Sequence, residues 1–185
     1  MLLLLIRDLY SIPEHLVKEA LDYSQASKAY TSDRHDFHPG GLSGKQKKMF
    51  EGKLGEKIFK MYLIENNINY AEDVSSHEEA DEYDFLLPNE MKIDIKTRTQ
   101  DFHIRTLEMV EQYKRRPKDI YISVRLYPGN NTGSIIGWFS SKDMLKINKI
   151  ENHGYLDNYV MYDRDLKPIE SLYESILINF VEPKS

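Results

Sequence analysis

The middle of the chain carries its strongest structural signal, a run in which every second residue is apolar. From Asp119 to Tyr127, isoleucine, valine or leucine occupies each alternate position. A period of two places these side chains on one face of a β-strand. The turn residues Pro-Gly-Asn-Asn at 128–131 then lead to a second apolar run at Ser134–Phe139. The two runs predict strands joined by a turn, the first of them central in a sheet.

Helical and strand patterns follow one another along the rest of the sequence. Helices are predicted at Pro13–Ala29, Lys45–Glu65, Arg105–Arg115, Ser140–Leu145 and from Pro168 onward, with a capping box formed by Ser140 and Asp143. Further strands are predicted at Ile68–Val74, Tyr83–Leu87, Met91–Thr97 and Tyr159–Tyr162, with a loop at Tyr30–Gly44. This order is typical of an α/β fold in which helices flank a central mixed β-sheet. We expect one domain over residues 1–185, with an N-terminal helix and loop (1–44), a core (45–140) and a C-terminal extension (141–185).

The composition excludes some kinds of site. The chain has no cysteine, so it forms no disulfide and holds no metal through thiolates. A bound metal would use oxygen or imidazole ligands, and a hard cation with carboxylate ligands is the natural candidate. The formal net charge of −5 argues against binding of nucleic acid by bulk charge alone. Basic residues are nevertheless concentrated in two segments, 45–60 and 114–118.

An apolar run at Leu2–Ile6 opens the chain. A membrane-spanning helix needs about 20 residues, so this run is too short to cross a bilayer. It has no basic segment before it and no small-residue cleavage site after it, so it does not resemble a signal peptide. We expect a buried strand or packing arm here, no membrane partner and a cytoplasmic protein.

Two acidic residues lie in adjacent predicted strands. Asp94 and Lys96 alternate with apolar residues and therefore share one face of the Met91–Thr97 strand. Asp84 interrupts the apolar run Tyr83–Leu87, although aspartate is depleted in strands and costly to bury. A hairpin would bring Asp84 close to Asp94, and adjacent carboxylates repel each other unless a proton or cation lies between them. The alternative is an ordinary strand with a solvated face, in which Asp84 pairs with a nearby lysine.

Glu56 is an acidic residue within an apolar stripe of the second predicted helix. The positions that share its side of the helix are all apolar or small: Met49, Gly52, Phe59 and Leu63. Gly52 and Gly55 are poor helix formers, which indicates close approach of another backbone or a ligand. The alternative is a solvent-facing Glu56 in a salt bridge with Lys53 or Lys60.

Together these residues form a pattern with a known counterpart. In chain order they are a helix glutamate, a strand aspartate, a short turn and a strand Asp-x-Lys: Glu56, Asp84, Asp94 and Lys96. This order resembles the signature of the PD-(D/E)xK nuclease superfamily, which has the restriction-endonuclease-like fold. The resemblance covers residues 45–140 and implies that fold's αβββαβ core. One departure is Tyr83, which stands where the name-giving proline would be.

The resemblance implies an endonuclease that hydrolyses DNA phosphodiester bonds with Mg²⁺, for which Mn²⁺ would substitute. Asp84, Asp94 and the main-chain carbonyl of Ile95 would hold the metal. Glu56 would bind it directly, through water or at a second metal. Lys96 would orient the nucleophile and offset negative charge on the phosphate. Because one site cuts one strand and many relatives pair to cut two, a homodimer is a further expectation.

Contacts with DNA and the rival interpretations rest on weaker signals. Lys45, Lys48 and Lys53 are candidates for phosphate contacts. Gln112 follows the Asp-x-Lys strand in a predicted helix, where some superfamily members place a glutamine near the site; an exposed helix glutamine is the alternative. One rival is a catalytically inactive module of the same fold that binds nucleic acid or serves assembly. Another is an unrelated α/β protein whose acids form surface salt bridges.

Overall fold

A mixed β-sheet of six strands lies at the centre of the protein. The computed structural model describes residues 9–26, 41–73, 82–152, 154 and 156–181, so Leu2–Ile6 and residues 30–40 of the predicted loop lie outside the described residues. In spatial order the strands are β1 (Tyr10–Ser11), β7 (Thr132–Ser140), β6 (Ile120–Tyr127), β4 (Lys92–Arg98), β3 (Phe85–Leu86) and β2 (Ala71–Glu72). β4 and β6 are parallel, and the other neighbouring pairs are antiparallel.

Helices and a second sheet surround this central sheet. The helices of the described residues are α1 (Glu14–Ala26), α2 (Gly41–Glu65), α3 (Val110–Arg115), α4 (Ser141–Ile147) and α5 (Glu170–Val181), with a 3₁₀ turn at Asp163–Asp165. The second sheet is antiparallel, in the order β5 (Arg105–Met109), β9 (Asp157–Tyr162) and β8 (Ile150–Asn152). The predicted α/β fold with a helix-flanked mixed sheet is thereby confirmed. Of the described helices, none is both long and apolar enough to cross a membrane.

The central strands and the α4 cap follow the sequence pattern closely. β6 and β7 contain both apolar runs and pair as a hairpin. At the start of α4, Ser140 Oγ accepts a hydrogen bond from the Asp143 amide at 3.1 Å. Asp143 Oδ2 accepts in return from the Ser140 amide at 2.9 Å, which completes the predicted capping box.

The segment Arg105–Arg115, predicted as one helix, divides into strand β5 and the short helix α3. β5 pairs with β9 along its whole length, from Arg105 opposite Tyr162 to Met109 opposite Asn158. Thr106 is buried, and its hydroxyl lies 2.8 Å from that of Ser123 in β6. Pairing with a distant strand therefore overrides the helical tendency of this segment, and the prediction of one continuous helix was wrong.

Several predicted boundaries also change. α2 begins at Gly41 rather than Lys45. In the described part of the predicted Ile68–Val74 strand, only Ala71–Glu72 (β2) forms a strand. Asn67 has a φ of 53°, and the Ile68 amide donates to the Leu63 carbonyl at 2.9 Å. The residues before β2 therefore close the end of α2 instead of extending the sheet. β8 had no counterpart among the predicted strands.

Both faces of the central sheet are covered. The alternating apolar residues of β6 belong to a core that α2 closes with four fully buried side chains, Leu54, Ile58, Phe59 and Leu63. The intervening residue Tyr121 points to the opposite face, where its ring stacks on Phe139 with centroids 5.0 Å apart. Tyr121 and Ser123 of β6 are therefore buried as well, because the second sheet and α4 cover the face that a lone sheet would leave in water.

The two glycines of α2 differ in their surroundings. A Cβ on Gly55 would lie 1.9 Å from Thr97 Oγ1 and 3.0 Å from Thr97 Cβ, whereas a Cβ on Gly52 would meet nothing within 4 Å. The predicted close approach therefore holds for Gly55, which brings α2 against β4, and not for Gly52.

Substitution of these glycines by alanine should have opposite effects. We expect Gly55→Ala to lower the free energy of unfolding by about 1–3 kcal/mol, because the added methyl forces α2 and β4 apart. Gly52→Ala should raise it by up to about 1 kcal/mol through helix propensity. Urea unfolding of both variants beside the wild type measures the difference. Equal effects at the two positions would contradict this packing.

Candidate active site

The β3–β4 hairpin brings two carboxylates close together. The antiparallel register pairs Phe85 with Ile93, and Asp84 and Asp94 are the residues next to this pair. The Asp84 amide donates to the Ile93 carbonyl at 2.9 Å, and Asp84 Oδ2 accepts from the Ile95 amide at 2.6 Å. The side chain of Asp84 thus satisfies a strand amide at the point where β3 begins, which explains how an aspartate is accommodated there.

Lys96 lies between Asp94 and a buried glutamate that the sequence analysis did not identify. Its Nζ is 2.8 Å from Asp94 Oδ2 and 2.6 Å from Glu108 Oε2. Glu108 is 1% exposed, and its Oε1 has no hydrogen-bond partner among the residues that the structure describes. In a strand, Thr106 and Glu108 lie on the same face, and this alternation could have identified Glu108. The prediction of a helix for this segment hides the alternation.

Glu56 lies on the inner side of α2 and is paired with Lys53. Lys53 Nζ is 2.9 Å from Glu56 Oε2, and each side chain is less than one-fifth exposed. The same ammonium group lies 4.3 Å from the centre of the Tyr23 ring. Both interpretations of Glu56 therefore describe part of its environment. It faces inward, beside fully buried Phe59, and it also forms a salt bridge within the helix.

Asp84 borders two cavities. The larger, of about 710 Å³, is a cleft that is also lined by Asp94 and by residues of α3 and the β8–β9 hairpin. The smaller, of about 120 Å³, is lined on the α2 side by Lys53 and Glu56. Asp84 therefore lies between the helix glutamate and the strand aspartate. Lys96 contacts Asp94 but does not line the cleft.

Negative charge at Asp84 is poorly compensated. Burial is the largest cause that raises the pKa of Asp84 well above its ordinary value, and the neighbouring carboxylates of Glu56 and Asp94 raise it further. The Ile95 amide and the Lys53 ammonium lower this pKa, but by less. A proton or a bound cation at this position would relieve the repulsion.

The two lysines paired with these acids keep their charge. Burial acts to lower the pKa of Lys96, but the two carboxylates that it contacts outweigh burial and hold that pKa above its ordinary value. Burial also acts to lower the pKa of Lys53, and Glu56 and Asp84 outweigh it in the same way. Both side chains therefore act as fixed cations at neutral pH and not as bases.

Lys118 is a third lysine at the site, and it was noted from the sequence only as part of a basic segment. It is 3% exposed, and its Nζ donates to the main-chain carbonyl of Glu82. Burial lowers the pKa of Lys118, and the nearby carboxylates of Asp94 and Asp84 oppose this shift only in part. No local pattern could have identified this residue, because its burial depends on a chain segment 36 residues away.

The donor atoms at Asp84 and Asp94 fit a hard divalent cation. No three His, Asp or Glu side chains within the described residues form a complete metal site. Mg²⁺, however, keeps several waters and is commonly bound through one or two carboxylates. The repulsion that raises the pKa of Asp84 is the feature that such an ion would relieve. The Ile95 carbonyl is a further main-chain oxygen on the same strand.

The residues predicted to contact DNA fall in different places. Gln112 is half-buried on α3 and lines the cleft together with Asp84 and Asp94. Lys45 and Lys48 lie near the start of α2 and do not line the cleft. Lys53 is close to the carboxylates but is paired with Glu56. The structure therefore brings Gln112, and not the lysines at the start of α2, to the cleft.

Asp84 gives the fold a defined dependence on pH. Because its pKa is raised in the folded chain, the folded state binds a proton there more tightly than the unfolded state does. This contribution to the free energy of unfolding is complete below about pH 4, the ordinary range of aspartate, and is lost as pH rises through the raised pKa. We therefore expect metal-free protein to lose stability as pH rises through that interval.

Asp84→Asn should remove this part of the pH dependence, since the amide has no charge to desolvate. We expect the variant to be more stable than wild type at neutral pH by about 0.5–2 kcal/mol, a gain typical of relieving an unfavourable site. Urea unfolding in EDTA across the acidic and neutral range measures it. Asp101→Asn is the matched control, because the Asp101 side chain is 85% exposed. A variant that follows the wild-type pH profile would contradict the prediction.

Comparisons with known proteins assign the chain to no family. No protein-family model matches the sequence, and no curated protein matches it either. Among solved structures, the chain is similar to a bacterial homing endonuclease, with 12% sequence identity over 71% of this chain and 90% of the other and a TM-score of 0.37. A likeness this distant assigns neither a family nor an activity.

Proposed function

We propose that the chain is a Mg²⁺-dependent nuclease of the PD-(D/E)xK type, and that it hydrolyses DNA phosphodiester bonds as an endonuclease. The observation that carries the proposal is that Asp84 and Asp94, next to the β3–β4 pairing, border one and the same cleft. Lys96 lies 2.8 Å from Asp94, in agreement with the order of the sequence motif. Carboxylates in this number beside a protonated lysine are suited to a cation and a phosphate.

Two groups of oxygens would hold the ion in this proposal. Asp84 and Asp94 would bind it with the Ile95 carbonyl, and Mn²⁺ would substitute for Mg²⁺ because it accepts the same ligands. Glu56 would act from the far side of Asp84, directly, through water or at a second ion. Bound there, a divalent cation supplies Lewis-acid polarisation of the scissile phosphate and of the attacking water.

Lys96 would contribute a fixed positive charge. Its pKa lies above the ordinary lysine value, so it orients and neutralises and does not abstract a proton. Glu108, 2.6 Å from Nζ, restricts where that ammonium group can point and acts as a positioning residue. In this proposal the Lys96 ammonium, beside Asp94, would offset the negative charge that develops on phosphoryl oxygens during hydrolysis.

A cleavage assay tests the proposal. Purified protein is incubated with linear duplex, single-stranded and four-way-junction DNA in Mg²⁺, in Mn²⁺ and in EDTA. The proposal requires cutting that depends on the metal and that produces internal breaks, as on a circular substrate without ends. If folded protein binds these DNAs and cuts none of them with either metal, a catalytically inactive nucleic-acid-binding module becomes the better description.

A further inference from the structure

The cleft that borders Asp84 and Asp94 has a basic wall. Three consecutive side chains at the end of α3 line it, Lys114, Arg115 and Arg116, and all three residues are exposed. The Arg115 side chain is 79% exposed and is paired within the helix only loosely, with its guanidinium 3.6 Å from an equally exposed Glu111. An exposed pair of this kind contributes little to stability, so the ion pair of Arg115 is of little importance to the fold.

The charges that line the cleft nearly balance. Besides the three cations, four carboxylates contribute to the lining: Asp84, Asp94, Glu111 and Asp157. The lining therefore carries four carboxylates and three cations, and a divalent cation at the two strand aspartates would add two positive charges to it. A polyanion is therefore attracted to this cleft more strongly with the metal than without it.

Two lysines of α2, Lys53 and Lys57, are less suited to this task. Lys57 Nζ lies 2.8 Å from Glu19 and 3.7 Å from Glu72, and Lys53 is paired with Glu56. The charges of these lysines are therefore already compensated by carboxylates. The end of α3, in contrast, combines exposed cations with a position on the same cavity as the aspartates.

We propose that Lys114, Arg115 and Arg116 bind the phosphate backbone of a DNA strand and guide it along the cleft to Asp84 and Asp94. The inference rests on the proposed function, because it takes the two aspartates as the point of cleavage. Contacts with phosphates position nucleic acid without reading its sequence. This wall therefore binds a DNA strand through the charge of its backbone and not through its base sequence. A divalent cation strengthens this binding, because it adds positive charge to the lining.

Binding is measured separately from cleavage, on a fluorescent DNA oligonucleotide with hydrolysis-resistant phosphorothioate linkages, in Mg²⁺ and across a range of salt. We expect the double variant Lys114→Ala/Arg115→Ala to bind at least about tenfold more weakly and its log–log salt slope to fall by about 2, roughly one for each lost phosphate contact. Replacing Mg²⁺ by EDTA should weaken binding by wild type.

The matched control removes two positive charges elsewhere. Lys142→Ala/Lys146→Ala changes exposed residues of α4 that do not line the cleft, and it should bind as wild type does. Wild-type affinity and salt slope in the α3 variant would overturn the inference, as would a loss confined to Lys45→Ala/Lys48→Ala, which would place the DNA along α2. In either case, metal-dependent cutting by wild type would leave the proposed nuclease intact. Wild type that neither binds nor cuts DNA would overturn both.

Discussion

Asp94→Asn should lower metal-dependent DNA cleavage by at least about a thousandfold, equivalent to about 4 kcal/mol of transition-state stabilisation. The substitution keeps the shape of the side chain and removes the charge that faces both Asp84 and Lys96. A neutral amide is a weaker ligand for a hard cation than a carboxylate. Initial rates at saturating DNA and a range of Mg²⁺ concentrations measure the loss.

The fold should tolerate this change, which separates activity from stability. Lys96 keeps its contact with Glu108 at 2.6 Å when Asp94 loses its charge, so no buried ammonium group is left unpaired. We expect the free energy of unfolding to change by less than about 1 kcal/mol, since removing the Asp94 charge also relieves repulsion with Asp84. Asp101→Asn, an exposed aspartate, is the matched control and should cut as wild type does. Full activity of Asp94→Asn would exclude the proposed site.

Lys96→Met should have the largest effect on stability, a loss of about 3–5 kcal/mol. The residue compensates both Asp94 and Glu108, and Glu108 is 1% exposed with one oxygen that has no hydrogen-bond partner in the described part of the chain. Removing the ammonium leaves two adjacent buried carboxylates without a cation. Urea unfolding at neutral pH measures the loss, and the variant should also be inactive as a nuclease.

Two further variants identify the cause of the stability loss in Lys96→Met. Lys92→Met, on the same strand, removes a lysine whose partner Glu82 is 69% exposed, and it should cost less than about 1 kcal/mol. Adding Glu108→Leu to Lys96→Met should recover part of the lost stability, because the more deeply buried of the two carboxylates is then removed. Cleavage should remain absent in this double variant. A double variant no more stable than Lys96→Met would show that the loss comes from packing and not from the unpaired Glu108.

The parts of the candidate site that depend on local order were predictable from the residues alone. The apolar run Tyr83–Leu87, the turn after it and the alternation around Asp94 specify a hairpin, which brings Asp84 close to Asp94. The apolar stripe of α2 likewise turned Glu56 inward, and Gly55 marked where the helix meets β4. In each case the decisive neighbours are close in sequence, so periodicity alone reports them.

The other residues of the candidate site depend on contacts between segments that are distant along the chain. Arg105–Met109 became a strand only because β9, about 50 residues later, offers it a hydrogen-bonding edge. That pairing directs Glu108 toward Lys96, and the burial of Lys118 depends in the same way on a carbonyl from a separate segment. The end of α3 reaches the cleft for the same reason, since β5 holds the helix that follows it. Such partners are distant along the chain, and local propensity carries no information about contacts that form only when distant strands meet.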